Sequence, residues 1–257
     1  MEVRMKLPST DKSVTQFIPT NPLCKNVRKL FMDEETADVV FEVYDGNCLS
    51  EEHTNKKSKT TTNFHAHRLI LKNNASALYE MCGVPGEGRI TTVSITDVKP
   101  EIFKHMIYYT YGGKLSHEEL ETNAKDIINA CDKYGIVNLK LEAEAHYVKS
   151  NEITMENMMD NLLYADSKNL ALLKEAVMDY IVANKRNIMG KVSFDNVPGG
   201  TVSDVLAAMA RGEESGEGST DYNSMRVGTL RKMLDEKGLD VDGSRESMIA
   251  LLKENDA

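Results

Sequence analysis

Two histidines that lie close together have the side chains best suited to bind a metal. His65 and His67 are two residues apart at the end of a strand-like segment, so both could point to one face and ligate a metal ion. No third Cys, His, Asp or Glu stands at a recognisable ligand spacing from them. We therefore expect a structural role for both histidines and no metal site.

The sequence patterns of enzymes are missing or incomplete. The glycine-rich stretches 83–88 and 111–115 read GVPGEG and YGGKL, and neither contains the GxxxxGK[ST] pattern of a phosphate-binding loop. GxSxG and HExxH do not occur, and acidic residues are scattered over helical faces. We expect no catalytic residue, no cofactor and a binding function.

Composition narrows the class of protein further. The 257 residues include 31 Lys and Arg against 40 Asp and Glu, a net charge of −9, which disfavours nucleic-acid binding over the whole surface. No apolar stretch approaches the roughly 20 residues that span a bilayer, so we expect no membrane contact. Four cysteines without a CxxC pair indicate reduced thiols in an intracellular protein of the nucleus, the cytoplasm or both.

The order of the elements predicts an α+β fold. Alternating apolar residues predict strands over 37–44, 61–65 and 89–95. A short helix opens at Asn21-Pro22, another follows the second strand to about Met81, and from Pro100 onward the apolar period is that of helices. A few strands followed by many helices favour a small β-sheet with helical hairpins.

We divide the chain into five parts. Residues 1–20 form an N-terminal arm, 21–149 the strand-containing domain and 150–210 a helical extension. Residues 211–223, rich in Gly, Ser and Glu, cannot bury enough apolar surface to offset their ordering entropy and are interpreted as a flexible linker. Residues 224–257 form a separate unit of two amphipathic helices, the first ending at Gly238.

Five segments in this order resemble the BTB/POZ domain, in particular the BTB half of the MATH–BTB adaptors of cullin ubiquitin ligases. They are ADVVFEV at 37–43, FHAHRLIL at 64–71, the stretches 95–115 and 124–148, and 151–181, which resembles the helical extension of that family, a BACK-like or 3-box segment. The resemblance implies a homodimeric, non-enzymatic protein-interaction adaptor that contributes to ubiquitination.

The resemblance also assigns residues. The helix near the start would pack against its two-fold mate through Leu23, Val27, Leu30 and Phe31. Asp38 and His67 would form a structural pair at the mouth of the dimer groove. A face for the cullin scaffold would include Met81, Val84, Tyr111, Lys133 and Tyr134.

The tail resembles a SAP module, a small helix-turn-helix unit associated with DNA or RNA binding. Its pattern includes Leu230, Leu234, the Gly238-Leu239 pair, Gly243, Ser244-Arg245 and the apolar residues Met248, Ile249 and Leu252. The resemblance implies nucleic-acid contacts through Arg226, Arg231, Lys232, Lys237 and Arg245. Seven acids in the same segment favour a protein contact over a nucleic-acid contact.

Two functional hypotheses follow from these resemblances. In the first, a BTB dimer binds a cullin scaffold while the tethered SAP-like tails recruit an unknown protein target. In the second, the protein is a chromatin- or RNA-associated scaffold or transcriptional regulator, in which the BTB domain only oligomerises and the tail binds nucleic acid.

Overall fold

The computed structural model describes residues 22–44, 61–84, 90–188, 198–211 and 222–256. The predicted arm at 1–20 and most of the predicted linker at 211–223 lie outside these ranges.

Three strands form one small mixed sheet. The strands are β1 Val39–Tyr44, β2 Thr61–Ala66 and β3 Thr91–Ile95, in the order β2-β1-β3. The central strand β1 pairs antiparallel with β2 and parallel with β3. Its residues alternate between buried and half-buried, which is the alternation that predicted the strand. Phe41 on β1 lies opposite Phe64 on β2, and both rings pack against Phe103.

Helices make up most of the rest, so the predicted α+β class with a small sheet is confirmed. The helices of the described residues are α1 Leu23–Lys29, α2 Arg68–Asn74, α3 Ser76–Met81, α4 Pro100–Thr110, α5 His117–Tyr134, α6 Val137–Ser150, α7 Met158–Ser167, α8 Ala171–Ala183, α9 Lys185–Ile188, α10 Gly199–Arg211, α11 Val227–Glu236 and α12 Arg245–Asn255. A 3-10 turn covers Tyr222–Ser224. None of the described helices has both the length and the apolar character needed to cross a bilayer.

The helical hairpin of α5 and α6 has sharply defined ends. At the start of α5, Ser116 and Glu119 form a capping box, in which each side chain accepts a hydrogen bond from the other residue's backbone N–H. At its end, Gly135 adopts a left-handed conformation with φ +70°. A side chain there would be strained and would also approach Ser76 of α3 to 3.4 Å, so glycine suits this turn.

One local prediction was wrong. The helix predicted up to Met81 is interrupted at Ala75, whose extended φ of −155° separates α2 from α3. The N-cap of α4 is Lys99, and the nearby Asp97 carboxylate accepts hydrogen bonds from α5.

The tail, residues 222–256, packs against the helical extension. Helices α11 and α12 form a small core of their own, and Gly238, with φ +67°, follows α11 as predicted. Ala171 and Leu172 at the start of α8 belong to the same apolar cluster. The core residues of the tail are Val227, Leu230, Leu234, Met248, Ile249 and Leu252. The tail is therefore docked on α8 in this structure.

Candidate interaction surfaces

The α1 face, formed by Leu23, Val27, Leu30 and Phe31, is not buried within one protomer. None of the residues of α1 itself is buried, and the side chain of Leu23 is 62% exposed. Val27 and Leu30 are half-buried. Phe31 packs edge-on against the rings of Tyr108 and Tyr111, at centroid distances of 5.2 and 6.0 Å. Phe31 thus anchors the segment, while Leu23 faces solvent.

A second apolar surface lies at the end of α3 and in the loop that follows it. Met81 is 45% exposed and Val84 is 91% exposed, and we call these two residues the loop patch. Exposed apolar side chains gain no burial energy within the chain, so they suit contact with another molecule. Both residues belong to the predicted cullin face.

The side chain of Arg68 holds this loop in place. Its guanidinium donates hydrogen bonds to the carbonyl oxygens of Gly83 at 2.7 Å and Cys82 at 2.8 Å. A third bond, of 2.6 Å, reaches the hydroxyl of Thr91 at the start of β3. Arg68 is itself buried, and these three acceptors replace the hydrogen bonds that its guanidinium would make with water. The loop patch is therefore fixed to the sheet by one side chain.

Tyr111, assigned to the cullin face, is fully buried. Its phenol oxygen accepts a 2.9 Å hydrogen bond from the backbone N–H of His67 and lies 2.7 Å from Nδ1 of the same histidine. Burial raises the pKa of this phenol well above its ordinary value. The expectation that Tyr111 lies on an exposed face is corrected, because its side chain fixes the junction of β2 and α2.

Counting donors assigns the His67 tautomer. The hydroxyl of Thr36 donates its only proton to Asp33 at 2.6 Å, so His67 Nε2 must carry the proton that it shares with Thr36 at 2.8 Å. In the tautomer that carries its proton on Nε2, Nδ1 accepts the hydrogen bond of the Tyr111 hydroxyl. The hydrogen bond from Thr36 lowers the pKa of Asp33, which keeps this acceptor ionised.

The expected contact between Asp38 and His67 is replaced by two neighbouring contacts. The Asp38 carboxylate accepts a 2.8 Å hydrogen bond from the backbone N–H of Arg68. His67 binds Thr36 and Tyr111, and no hydrogen bond of the described residues joins it to Asp38. Asp38 therefore binds the first turn of α2, and His67 is the N-cap residue of that helix.

The two remaining residues of the cullin face bind within the chain. Lys133 Nζ lies 2.6 Å from Asp97, and the Tyr134 hydroxyl donates to the same carboxylate at 2.7 Å. Burial acting alone would raise the pKa of Asp97, but these two hydrogen bonds outweigh it and lower that pKa. Tyr134 is buried, which corrects its placement on an exposed face, whereas Lys133 is partly exposed.

Candidate metal ligands do not converge in the described part of the chain, where no three His, Cys, Asp or Glu side chains could hold one ion. His65 lies 3.6 Å from Glu34, whereas His67 belongs to the hydrogen bonds just described. Of the cysteines that the structure describes, Cys24 is exposed and Cys82 and Cys131 are buried. Burial raises the pKa of both buried thiols.

The basic residues of the tail are paired with groups of the same chain. Arg226 forms a two-pronged contact with Asp179, at 3.0 and 2.6 Å, and lies 3.4 Å from Glu175. Arg231 Nη1 lies 2.8 Å from Glu144.

The other three predicted nucleic-acid contacts stay within the tail. Lys237 binds Asp256 at 2.7 Å, and Arg245 donates to the carbonyl oxygens of Asn223 and Met225. Lys232 lies 3.9 Å from Glu236, with both side chains largely exposed. Arg226 and Arg231 are therefore the two candidates that join the tail to the body.

Glu144 is a residue that sequence reasoning missed. It is fully buried, and Oε1 accepts hydrogen bonds from the backbone N–H groups of Leu172 and Leu173, at 2.8 and 3.1 Å. These amides belong to the first turn of α8, so Glu144 caps that helix from α6. Its other oxygen, Oε2, faces Arg231 as an ion pair and accepts no hydrogen bond. No local motif could have signalled this role, since both contacts are distant in sequence.

Lys140, one turn before Glu144 on α6, carries a second buried charge. Its Nζ lies 2.9 Å from Asp132 on α5 and 3.1 Å from Asp242 in the tail. Burial acting alone would lower the pKa of Lys140, but the hydrogen bonds to the two carboxylates outweigh it and raise that pKa. We call Lys140, Glu144, Glu175 and Asp179 the docking face.

A groove of about 610 Å³ lies beside the docking face, between α8, α10 and the tail. Its walls include Asp166, Asp204, Glu175 and Asp179 from the body. The first two pair with Lys174 and the last two with Arg226.

Part of the chain matches the model of a known family. The model of the BTB/POZ domain matches residues 28–151, somewhat under half of the chain. Residues 28–151 form a BTB/POZ domain. The β1–β2 pair, Arg68, the loop patch and the α5–α6 hairpin all lie within it.

The chain is also similar to curated mouse proteins. TD and POZ domain-containing protein 4 of Mus musculus is 32% identical over 120 residues, which are 46% of this chain and 32% of that protein. TD and POZ domain-containing protein 5 is 29% identical over 131 residues, 51% of this chain and 38% of the relative. The chain thus covers about a third of the length of these relatives.

Proposed function

We propose that this protein is a non-enzymatic, homodimeric protein-interaction adaptor. The observation that carries the proposal is the α1 face, which presents apolar side chains at the N-terminal edge of a BTB/POZ domain without burying any residue of α1. A helix of seven residues with solvent on its apolar side gains little stability alone, so a partner that covers it is favoured. A second copy of the chain fits, since an isologous contact needs only one self-complementary patch.

Self-association can be tested with a matched pair of variants. Leu23→Asp places a charge on the proposed interface, whereas Leu206→Asp makes the same change at an equally exposed leucine on α10. We expect light scattering to show a dimer at micromolar concentration for the wild type and Leu206→Asp, and a monomer for Leu23→Asp. A wild-type monomer at this concentration would contradict the proposal.

A cullin scaffold is the partner that we propose for the loop patch. Met81 and Val84 support this assignment by their exposure, and Arg68 supports it by binding the backbone carbonyls of Cys82 and Gly83 between them. Lys133 is the remaining exposed candidate of that face. Adaptors of this kind would connect a target to a ubiquitin ligase.

Co-purification with a cullin tests the assignment. The double variant Met81→Asp/Val84→Asp should lose the cullin and remain dimeric, while Leu206→Asp should retain it. If the wild-type dimer captures no cullin, or the double variant captures as much as the wild type, the loop patch has another role.

Nucleic-acid binding by the tail remains a second proposal with less support. Arg226 and Arg231 already pair with carboxylates of the body, and a phosphate would have to displace these carboxylates. We therefore propose that the tail acts first through protein contacts, including those with its own extension.

A further inference from the structure

The contact between tail and body is built from charges rather than from apolar surface alone. Arg226 and Arg231 of the tail meet Glu175, Asp179 and Glu144 of the docking face. The polarity is reversed at one point, where Asp242 of the tail meets Lys140 of the body. This alternation fixes the tail in one register, because a shift would place like charges together.

The carboxylates of the docking face bind guanidinium groups that could also bind a phosphate. Asp179 receives two parallel N–H groups from Arg226, which is the fork geometry that arginine also offers to a phosphate. Glu144 faces Arg231 inside the contact, where Arg231 Nε and Nη2 are buried and make no hydrogen bond within the described residues. The docked tail therefore closes Arg231 to another anion, whereas Arg226, whose side chain is 63% exposed, would have to exchange Asp179 for that anion.

We propose that the tail is a latch, closed on the docking face by carboxylates that imitate phosphates, and that it binds a nucleic acid only after it leaves that face. The two states exclude each other because both use Arg226 and Arg231. This inference is independent of self-association through α1, which involves a different part of the chain.

The Val227 amide reports the state of the latch. It donates a 3.0 Å hydrogen bond across the contact to Glu175 Oε1 and is the first residue of α11, so its N–H has no partner within its own helix. Undocking removes its acceptor and its burial. Hydrogen exchange at Val227 in the full chain therefore measures opening directly.

The variant that opens the latch changes the body and leaves the arginines of the tail intact. Glu144→Gln/Glu175→Gln keeps an oxygen for the amides of Leu172 and Val227 but removes both negative charges. Glu121→Gln is the matched control, the same chemical change at an exposed position of α5. Asp179→Asn, at a half-exposed site, serves as a milder opening variant if the double variant loses its fold.

Two measurements on the full-length proteins test the latch. In the double variant we expect exchange at Val227 to be at least about tenfold faster, with the amides of β1 unchanged. We expect a short DNA duplex at low salt to bind the double variant about tenfold more tightly than the wild type or Glu121→Gln, since a competent state that is rarely populated weakens apparent affinity in proportion. Added salt should weaken that binding steeply.

Three results would overturn the inference. Unchanged exchange at Val227 in both opening variants would show that the charges do not hold the tail. Equal duplex binding by the wild type and an open variant would show that docking does not compete with nucleic acid. Failure of an open variant to bind the duplex at low salt would assign the docked arginines to architecture alone.

Discussion

The BTB/POZ domain and the tail treat their candidate interaction residues in opposite ways. The domain leaves Met81 and Val84 exposed, and α1 at its N-terminal edge leaves Leu23 exposed, although apolar side chains gain most from burial. The tail carries charged residues that water would solvate well, yet Arg226 and Arg231 are paired with the body. Among these candidate interaction residues, the charged ones are already paired within the chain, and the apolar ones are exposed.

The exposed apolar surface is thus available to another molecule, whereas the arginines of the tail are already bound to carboxylates of the same chain. An uncovered apolar side chain can still gain free energy from a partner, whereas a paired arginine must first lose its carboxylate. From residue type alone, the arginines of the tail would be expected to be free to bind another molecule. The predictions below test the contrast, from the largest expected effect to the smallest.

Adjacent residues of α11 should differ most. Arg231→Gln leaves fully buried Glu144 without its cation, so we expect the free energy of unfolding to fall by about 3–5 kcal/mol. Lys232→Gln is the matched control, because Lys232 is 76% exposed, and its ion pair at 3.9 Å contributes at most about 0.5 kcal/mol. Urea unfolding followed by circular dichroism measures both. Equal losses would contradict a buried, paired tail.

The loop patch should depend on Arg68. Arg68→Lys keeps the charge but cannot serve the two carbonyl oxygens and the hydroxyl together, and an unsatisfied buried acceptor costs about 1–3 kcal/mol. We expect a loss of about 2–3 kcal/mol in thermal or urea unfolding, with faster hydrogen exchange at Gly83. Arg186→Lys on the exposed side of α9 is the control and should change neither quantity. An unaltered exchange rate at Gly83 would argue against the clamp.

Phe31 and Leu23 of the α1 face should have different roles. Phe31 should stabilise the protomer, whereas Leu23 should contribute to self-association. Phe31→Ala removes the edge-on contacts with Tyr108 and Tyr111 and should lower monomer stability by about 2 kcal/mol. Leu23→Ala should change it by less than about 0.5 kcal/mol while weakening self-association. Unfolding at concentrations below dimerisation separates the two effects. Equal monomer destabilisation would place Leu23 inside the protomer.

The smallest effect should appear with pH. The folded-state pKa of Asp97 is below its ordinary 3.8, so its stabilising contribution is present at neutral pH and is lost as the pH falls below 3.8 through the folded-state value. Solvent screens this half-exposed carboxylate, so we expect Asp97→Asn to cost about 1 kcal/mol at neutral pH. The variant should lose less stability than the wild type on acidification. Parallel pH profiles would contradict this assignment.

The sequence alone predicted those elements whose causes are local. Alternating residues predicted β1, and Gly238 predicted the end of α11, because strand period and left-handed glycine act within a few residues. The break at Ala75 was missed, since Arg68 to Met81 has no glycine or proline to mark it.

The sites were harder to predict, because side-chain partners come from distant segments. Tyr111 and Tyr134 were placed on a surface by their resemblance to a family, but the contacts that bury them come from His67 and Asp97. The pairing of Arg231 with Glu144 has no sequence signal at all, since Glu144 lies in an ordinary amphipathic helix. Burial of such a pair emerges only when α6, α8 and α11 meet.

Glu144 has a consequence for how the chain is made. An N-terminal domain can fold while the rest of a protein is still being synthesised, so Glu144 can cap α8 before Arg231 exists. Until then one of its oxygens faces water, and the first turn of α8 carries a carboxylate charge that water must stabilise. The docking of α11 buries that oxygen and pairs its charge with Arg231. The burial of Glu144, which lies past the middle of the chain, therefore depends on whether α11 has been synthesised and has docked.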